Sequence, residues 1–123
     1  MPAEKRLLLV EDEAITAMLL KRNLELIGYA VDEPVATGRE AIEAAEKHSF
    51  DAILMDIRLV GKMDGIETAQ RILSIQEVPI IFITGYSDEE IFNRAKKLNP
   101  SAYLIKPVTP DDIVPVLNKI FTS

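Results

Sequence analysis

The 123-residue chain has no cysteine and no tryptophan, one histidine, five glycines, and no apolar run longer than a handful of residues. Without cysteine there are no disulfides, no thiol nucleophile and no Cys-ligated metal. The N-terminal stretch "MPAEKRLLLVEDE" is too short in apolar residues for a signal peptide or a membrane-spanning helix, so a cytoplasmic location is expected by default. Basic residues are also in deficit: 14 Lys and Arg stand against 20 Asp and Glu, a net charge of −6. That balance disfavours direct contact with nucleic acid or an anionic membrane. A lone histidine, His48, at the expected end of a helix, reads as solvated and not as a phosphohistidine donor. No repeat, biased segment or linker divides the chain, so residues 1–123 are expected to form one domain.

What is there alternates. Short apolar runs occur at 7–10, 29–35, 51–55, 79–84 and 102–106, each followed by a helical pattern such as Ala17, Leu20, Leu24, Ile27 or Ile113, Val116, Leu117, Ile120. Strands separated by helices of that length imply βαβ crossovers and a parallel sheet covered on both faces. The first, third and fourth runs are apolar without alternation, as central strands require. The run at 29–35 carries Asp32, Glu33 and Pro34 and belongs at an edge. Thr37-x-x-Glu40, Asp64-x-x-Glu67, Ser87-x-x-Glu90 and Thr109-Pro110 mark helix starts, and Gly28 marks a helix stop. Pro115, inside the last helical pattern, is expected to kink that helix or delay its start. The fold class is α/β, a doubly wound (βα)5 three-layer sandwich on a five-stranded parallel sheet.

In such sheets ligands bind beyond the carboxyl ends of the strands. Glu11, Asp12 and Glu13 follow the first strand, Asp56 ends the third, Thr84-Gly85 end the fourth and Lys106-Pro107 end the fifth. Gathered carboxylates repel, by about 4 kcal/mol for a pair 4 Å apart at an effective dielectric of 20. A hard divalent cation such as Mg²⁺ would offset that repulsion with oxygen ligands. Beside Mg²⁺, a lysine and a hydroxyl, Asp56 could attack a phosphoryl group and become an acyl phosphate. Taken singly, the residues have plainer readings: helix-opening acids for 11–13, a turn for Lys106-Pro107, a helix cap for Asp64.

Together, "LLLVEDE", "AILMDIRL", "DGIE", "PIIFITGYSDEE" and "AYLIKPVTPDDI" resemble the receiver domains of two-component response regulators over the whole chain, in order and spacing. The resemblance implies the flavodoxin-like strand order 2-1-3-4-5. It makes Asp56 the phosphoacceptor, Asp12 a direct Mg²⁺ ligand, Glu11 an acid acting through water, and the Arg58 backbone carbonyl a further ligand. Thr84 and Lys106 would hold the phosphoryl group, with Thr84 and Tyr103 forming the switch and a cis bond at Lys106-Pro107. The implied partners are a sensor histidine kinase and a downstream protein or output domain that reads helix 4, strand 5 and helix 5, or a second copy of the chain on that face. Such a domain catalyses only its own phosphorylation and dephosphorylation. The sequence departs from the commoner pattern in one extra residue between Asp56 and Asp64, in Leu59-Val60, and in Val108 after Lys106-Pro107. Two other readings fit less well. A haloacid-dehalogenase-type phosphatase wants a second aspartate where Arg58 stands, and a flavodoxin-like nucleotide or flavin binder wants a glycine-rich loop where "VEDEAIT" is acidic.

Overall fold

The computed structural model describes residues 4–122. Five strands and five helices alternate: β1 (Arg6–Val10), α1 (Ala14–Leu26), β2 (Ala30–Val31), α2 (Gly38–Lys47), β3 (Ala52–Asp56), α3 (Gly65–Leu73), β4 (Ile80–Thr84), α4 (Glu89–Lys96), β5 (Ala102–Ile105) and α5 (Pro110–Phe121). All strand pairs are parallel, in the order β2-β1-β3-β4-β5. The three non-alternating runs are the three central strands, and β3 and β4 are buried along their whole length. The run at 29–35 is the edge, as its charges require. Only Ala30 and Val31 form strand there, with one further bridge from Val35 to Val10.

A strand's period of two divides the core between the faces. Leu8, Val10, Ile53, Met55, Ile80 and Phe82 pack under α2, α3 and α4 with Ala41, Ala69, Ile72 and Ala95. Leu7, Leu9, Leu54, Ile81 and Ile83 pack under α1 and α5 with Leu24, Ile113 and Leu117. Each fully buried Leu or Ile contributes roughly 1.5–3 kcal/mol, and truncating one such as Ile81 to alanine would cost about 2–5 kcal/mol.

The helix ends follow local chemistry. Thr37 and Asp64 cap α2 and α3, accepting from Glu40 N–H and Glu67 N–H. Gly28, at φ +107°, closes α1: its N–H donates to Glu25 O and the Tyr29 N–H donates to Leu24 O, a pairing that needs the left-handed conformation glycine adopts freely. Two expectations need correction. Asp88, not Ser87, caps α4, accepting from Ile91 N–H at 2.8 Å, because the Ser87 hydroxyl is engaged with the Tyr103 hydroxyl at 2.5 Å. Nor does Pro115 delay the start of α5, which begins at Pro110 and continues to Phe121. The missing N–H removes one intrahelical bond. Against that loss stand the Asp112 carboxylate, which accepts from Thr109 N–H at 2.8 Å, and the buried anchors Ile113 and Leu117. The Lys106-Pro107 bond is cis.

Candidate acidic phosphoacceptor site

Sheet register sets the geometry. Asp56 pairs with Ile83, and Thr84 pairs with Ile105, so the carboxyl ends of β3, β4 and β5 finish level. The ladder runs one residue further on each side: Ile57 N–H donates to Ile83 O at 3.0 Å, and Lys106 N–H donates to Thr84 O at 2.8 Å. Glu11 leaves β1 with its N–H on Val35 O at 2.9 Å. Residues from four strands are thereby held at one edge.

Glu11, Asp12 and Asp56 each bring a carboxylate oxygen within 4.8 Å of the other two. Asp56 is buried, at 4% exposure, yet charged groups rarely go inside without a partner. Its partner is Lys106, whose Nζ donates to Asp56 Oδ2 at 2.9 Å and to Glu11 Oε1 at 3.0 Å. Burial works to lower the Lys106 ammonium, but the hydrogen bonds and charges of Asp56 and Glu11 outweigh it, and the group titrates above the ordinary lysine range. Asp12 is displaced upward, first by burial, then by a hydrogen bond and charge from Glu11; Lys106 offsets this only in part. One ammonium does not neutralise three carboxylates. An all-oxygen donor set with residual negative charge suits a hard divalent cation.

The remaining expected residues lie around this cluster. Arg58 lines an open cleft of about 400 Å³ with Asp12 and the 59–64 loop. Its guanidinium stands over the Tyr86 ring, 5.5 Å from the centroid. Thr84 is fully buried and turned along its own loop, donating to Tyr86 O at 2.6 Å. Tyr103 is half-buried, edge-on to Phe92 at 5.2 Å, with its hydroxyl on Ser87. Glu13 is not part of the cluster; it stands at the N-cap of α1 and accepts from the Thr16 hydroxyl. His48 is exposed beside Phe50. Sequence reasoning missed the Asp64–Arg94 ion pair, 3.0 Å, which ties the cap of α3 to α4. It also missed the closeness of Gly65 to the Asp56 backbone. A cap signal marks Asp64, but nothing in a linear sequence brings Arg94 to it.

Comparison with known proteins gives the family. The response regulator receiver domain model matches residues 7–118. The chain belongs to that family. Receivers of this kind are signalling domains of two-component systems and not conventional enzymes. The transcriptional regulatory protein PdtaR of Mycobacterium tuberculosis is 35% identical over 113 residues, which are 92% of this chain and 55% of that protein. The chain therefore spans about half the length of that relative. Among solved structures, the signal receiver domain of a modulated diguanylate cyclase from Desulfovibrio desulfuricans superposes with a TM-score of 0.89 at 40% identity, covering 96% of this chain and 94% of that one. The receiver domain of the sensor histidine kinase PA1611 from Pseudomonas aeruginosa, with a magnesium ion coordinated in its active-site cleft, superposes with a TM-score of 0.86 at 31% identity, covering 98% and 100%. Among the described residues, no helix of this receiver is long and apolar enough to cross a membrane.

Proposed function

We propose that residues 1–123 work as one receiver domain that takes a phosphoryl group onto Asp56 from the phosphohistidine of a sensor histidine kinase. The observation that carries this reading is the cluster of Glu11, Asp12 and Asp56 with Lys106 bonded to two of its members. An Asp56 carboxylate oxygen attacks phosphorus, the bond from phosphorus to the donor imidazole breaks, and the nitrogen keeps the electron pair and takes up a proton. Mg²⁺, when bound, draws charge from the phosphoryl oxygens. Asp12 and Asp56 would ligate it directly, Glu11 through water, and the Arg58 backbone carbonyl would complete the protein's share; the magnesium reported in the active-site cleft of the PA1611 receiver supports a cation at this edge.

Lys106, already on Asp56 Oδ2, would move its bond to a phosphoryl oxygen. Thr84 would exchange its bond to Tyr86 O for one to the phosphoryl group, shifting the β4–α4 loop. That loop carries Ser87, the partner of the Tyr103 hydroxyl, so Tyr103 would be released and the α4–β5–α5 face altered. A downstream protein, an attached output domain or a second copy would read that face. A groove of about 600 Å³ is lined by Glu11 and Lys106 together with Leu19, Leu20, Pro107 and Val108, and its mixed polar and apolar lining suits the docking of the donor protein. The test is incubation with acetyl phosphate and Mg²⁺ followed by intact mass. The parent gains one phosphoryl group and Asp56→Asn gains none. A gain in the variant, or none in the parent, overturns the acceptor assignment.

A further inference from the structure

We propose that Gly65 is a positioning residue for the acceptor, its missing side chain being what lets Asp56 and the Arg58 carbonyl stand where the site needs them. Gly65 is the first residue of α3, directly after the Asp64 cap. A Cβ built on it would lie far inside van der Waals contact of the Asp56 carbonyl oxygen, 2.8 Å from Ile57 Cα and 2.9 Å from the Asp56 carbonyl carbon. All three are backbone atoms, so no rotamer change relieves the overlap.

Neither side yields readily. On one side, Asp56 and Ile57 are fixed by pairing with Ile83 and by the 3.0 Å bond from Ile57 N–H to Ile83 O. On the other, α3 is anchored by buried Ile66, Ala69 and Ile72. The same glycine closes the acceptor loop, since Gly65 N–H donates to Ile57 O at 2.7 Å and sets the span from which Arg58 presents its carbonyl. Carbon atoms sit at about 3.5 Å or more, so relieving the 2.8 Å contact alone needs a shift of about 0.7 Å, and the tighter overlap with the Asp56 carbonyl oxygen needs more. A displacement near 1 Å at a reacting group is enough to cost on the order of a hundredfold in rate.

The protein supplies a control at a second tightly packed helix start. A Cβ on Gly38, the first residue of α2, would overlap the Thr68 hydroxyl of α3, which donates to Asp64 O, and come 3.3 Å from Met63 Cβ in the loop before α3; these are side-chain atoms, and none is the Asp56 or Ile57 backbone. Gly38→Ala tests tight packing alone. Gly65→Ala tests packing plus position.

The role rests on the phosphoacceptor reading, so the experiment starts from the parent with acetyl phosphate. Two quantities are then compared among parent, Gly65→Ala and Gly38→Ala: the rate of phosphate uptake, and the affinity for Mg²⁺ alone from amide shifts in an NMR titration. Both variants lose thermal stability. Only Gly65→Ala loses uptake, by on the order of a hundredfold, and Mg²⁺ affinity, by roughly ten- to a hundredfold. If Gly65→Ala folds poorly, the same titration is run in trimethylamine oxide, which favours the compact state. A parent that takes no phosphate overturns the acceptor reading itself. A phosphorylated parent beside a Gly65→Ala protein of equal rate and Mg²⁺ affinity overturns the positioning role alone, as does a Gly38→Ala protein that loses both to the same degree.

Discussion

Replacing Asp12 with alanine should stabilise the protein without metal and destabilise it with metal. Asp12 has two carboxylate neighbours with oxygens within 4.8 Å. At that distance one pair repels by about 3.5 kcal/mol at an effective dielectric of 20 and about 0.9 kcal/mol at the dielectric of water. Asp12 is exposed, which places the value near the lower figure, and attraction to Lys106 cancels part of the second neighbour's repulsion. A net relief of about 1 kcal/mol remains. With about 2.1 cal/mol/K of unfolding entropy for each of 123 residues, that relief raises Tm by about 4 °C. Mg²⁺ at a hundredfold excess over its Kd stabilises the parent by about 2.7 kcal/mol. Asp12→Ala lacks a ligand and gains little, so the order inverts, with the parent ahead by about 1.7 kcal/mol. The assay is thermal unfolding by circular dichroism in EDTA and in MgCl2 at matched ionic strength. A variant that melts below the parent in EDTA refutes the repulsion argument. Equal Mg²⁺ shifts in both proteins refute the ligand role.

Other consequences are open to measurement. The stacked Arg58 and Tyr86 side chains, which by the receiver resemblance flank the acyl phosphate, would shield it and offer neither an acid nor an amide to orient an attacking water, so the phosphorylated protein should lose phosphate slowly and the Arg58→Asn, Tyr86→Glu double variant faster; equal or slower decay of purified phosphoprotein in Mg²⁺ sinks this shielding. Lys106→Ala should still take phosphate but fail to pass the change on, so its amide shifts upon phosphorylation should stay out of α4 and β5, where the parent's appear; parent-like shifts in the variant rule this out. In Asp32, hydrogen bonds from Arg6 outweigh burial and hold the carboxyl below its ordinary range. The stability it contributes is complete above that range and lost as pH falls through the folded value, so Asp32→Asn should weaken the protein in urea at neutral pH and progressively less in acid. A gap that stays constant with pH excludes this pair as its source.

Much of this protein is legible in one dimension because the signals are local. Leu7 through Val10, Ala52 through Met55 and Ile80 through Ile83 are unbroken apolar runs too short for a helix, and their spacing by helical patterns marks them as strands covered on both faces. Thr37 and Asp64 cap their helices through groups three residues away. Asp56, an acid directly after four apolar residues, stands out in the linear chain because a carboxylate at the tip of a buried strand demands a partner. The strand order came from family resemblance, since periodicity does not say which strands are neighbours.

The tertiary structure decided what depends on distant residues meeting. Lys106 reaches Asp56 and Glu11 across 50 and 95 positions of chain, so its choice of partners is a consequence of sheet register. Ser87 reads as a cap until Tyr103, sixteen residues on, takes its hydroxyl and leaves the role to Asp88. Pro115 reads as a residue that could delay the last helix until Ile113 and Leu117, on either side of it, are seen locked in the core of a helix that already begins at Pro110. Gly65 is one glycine among five in the sequence. Only the approach of α3 to the Asp56 backbone makes its missing side chain a requirement, because steric exclusion exists only between groups that the fold has brought together.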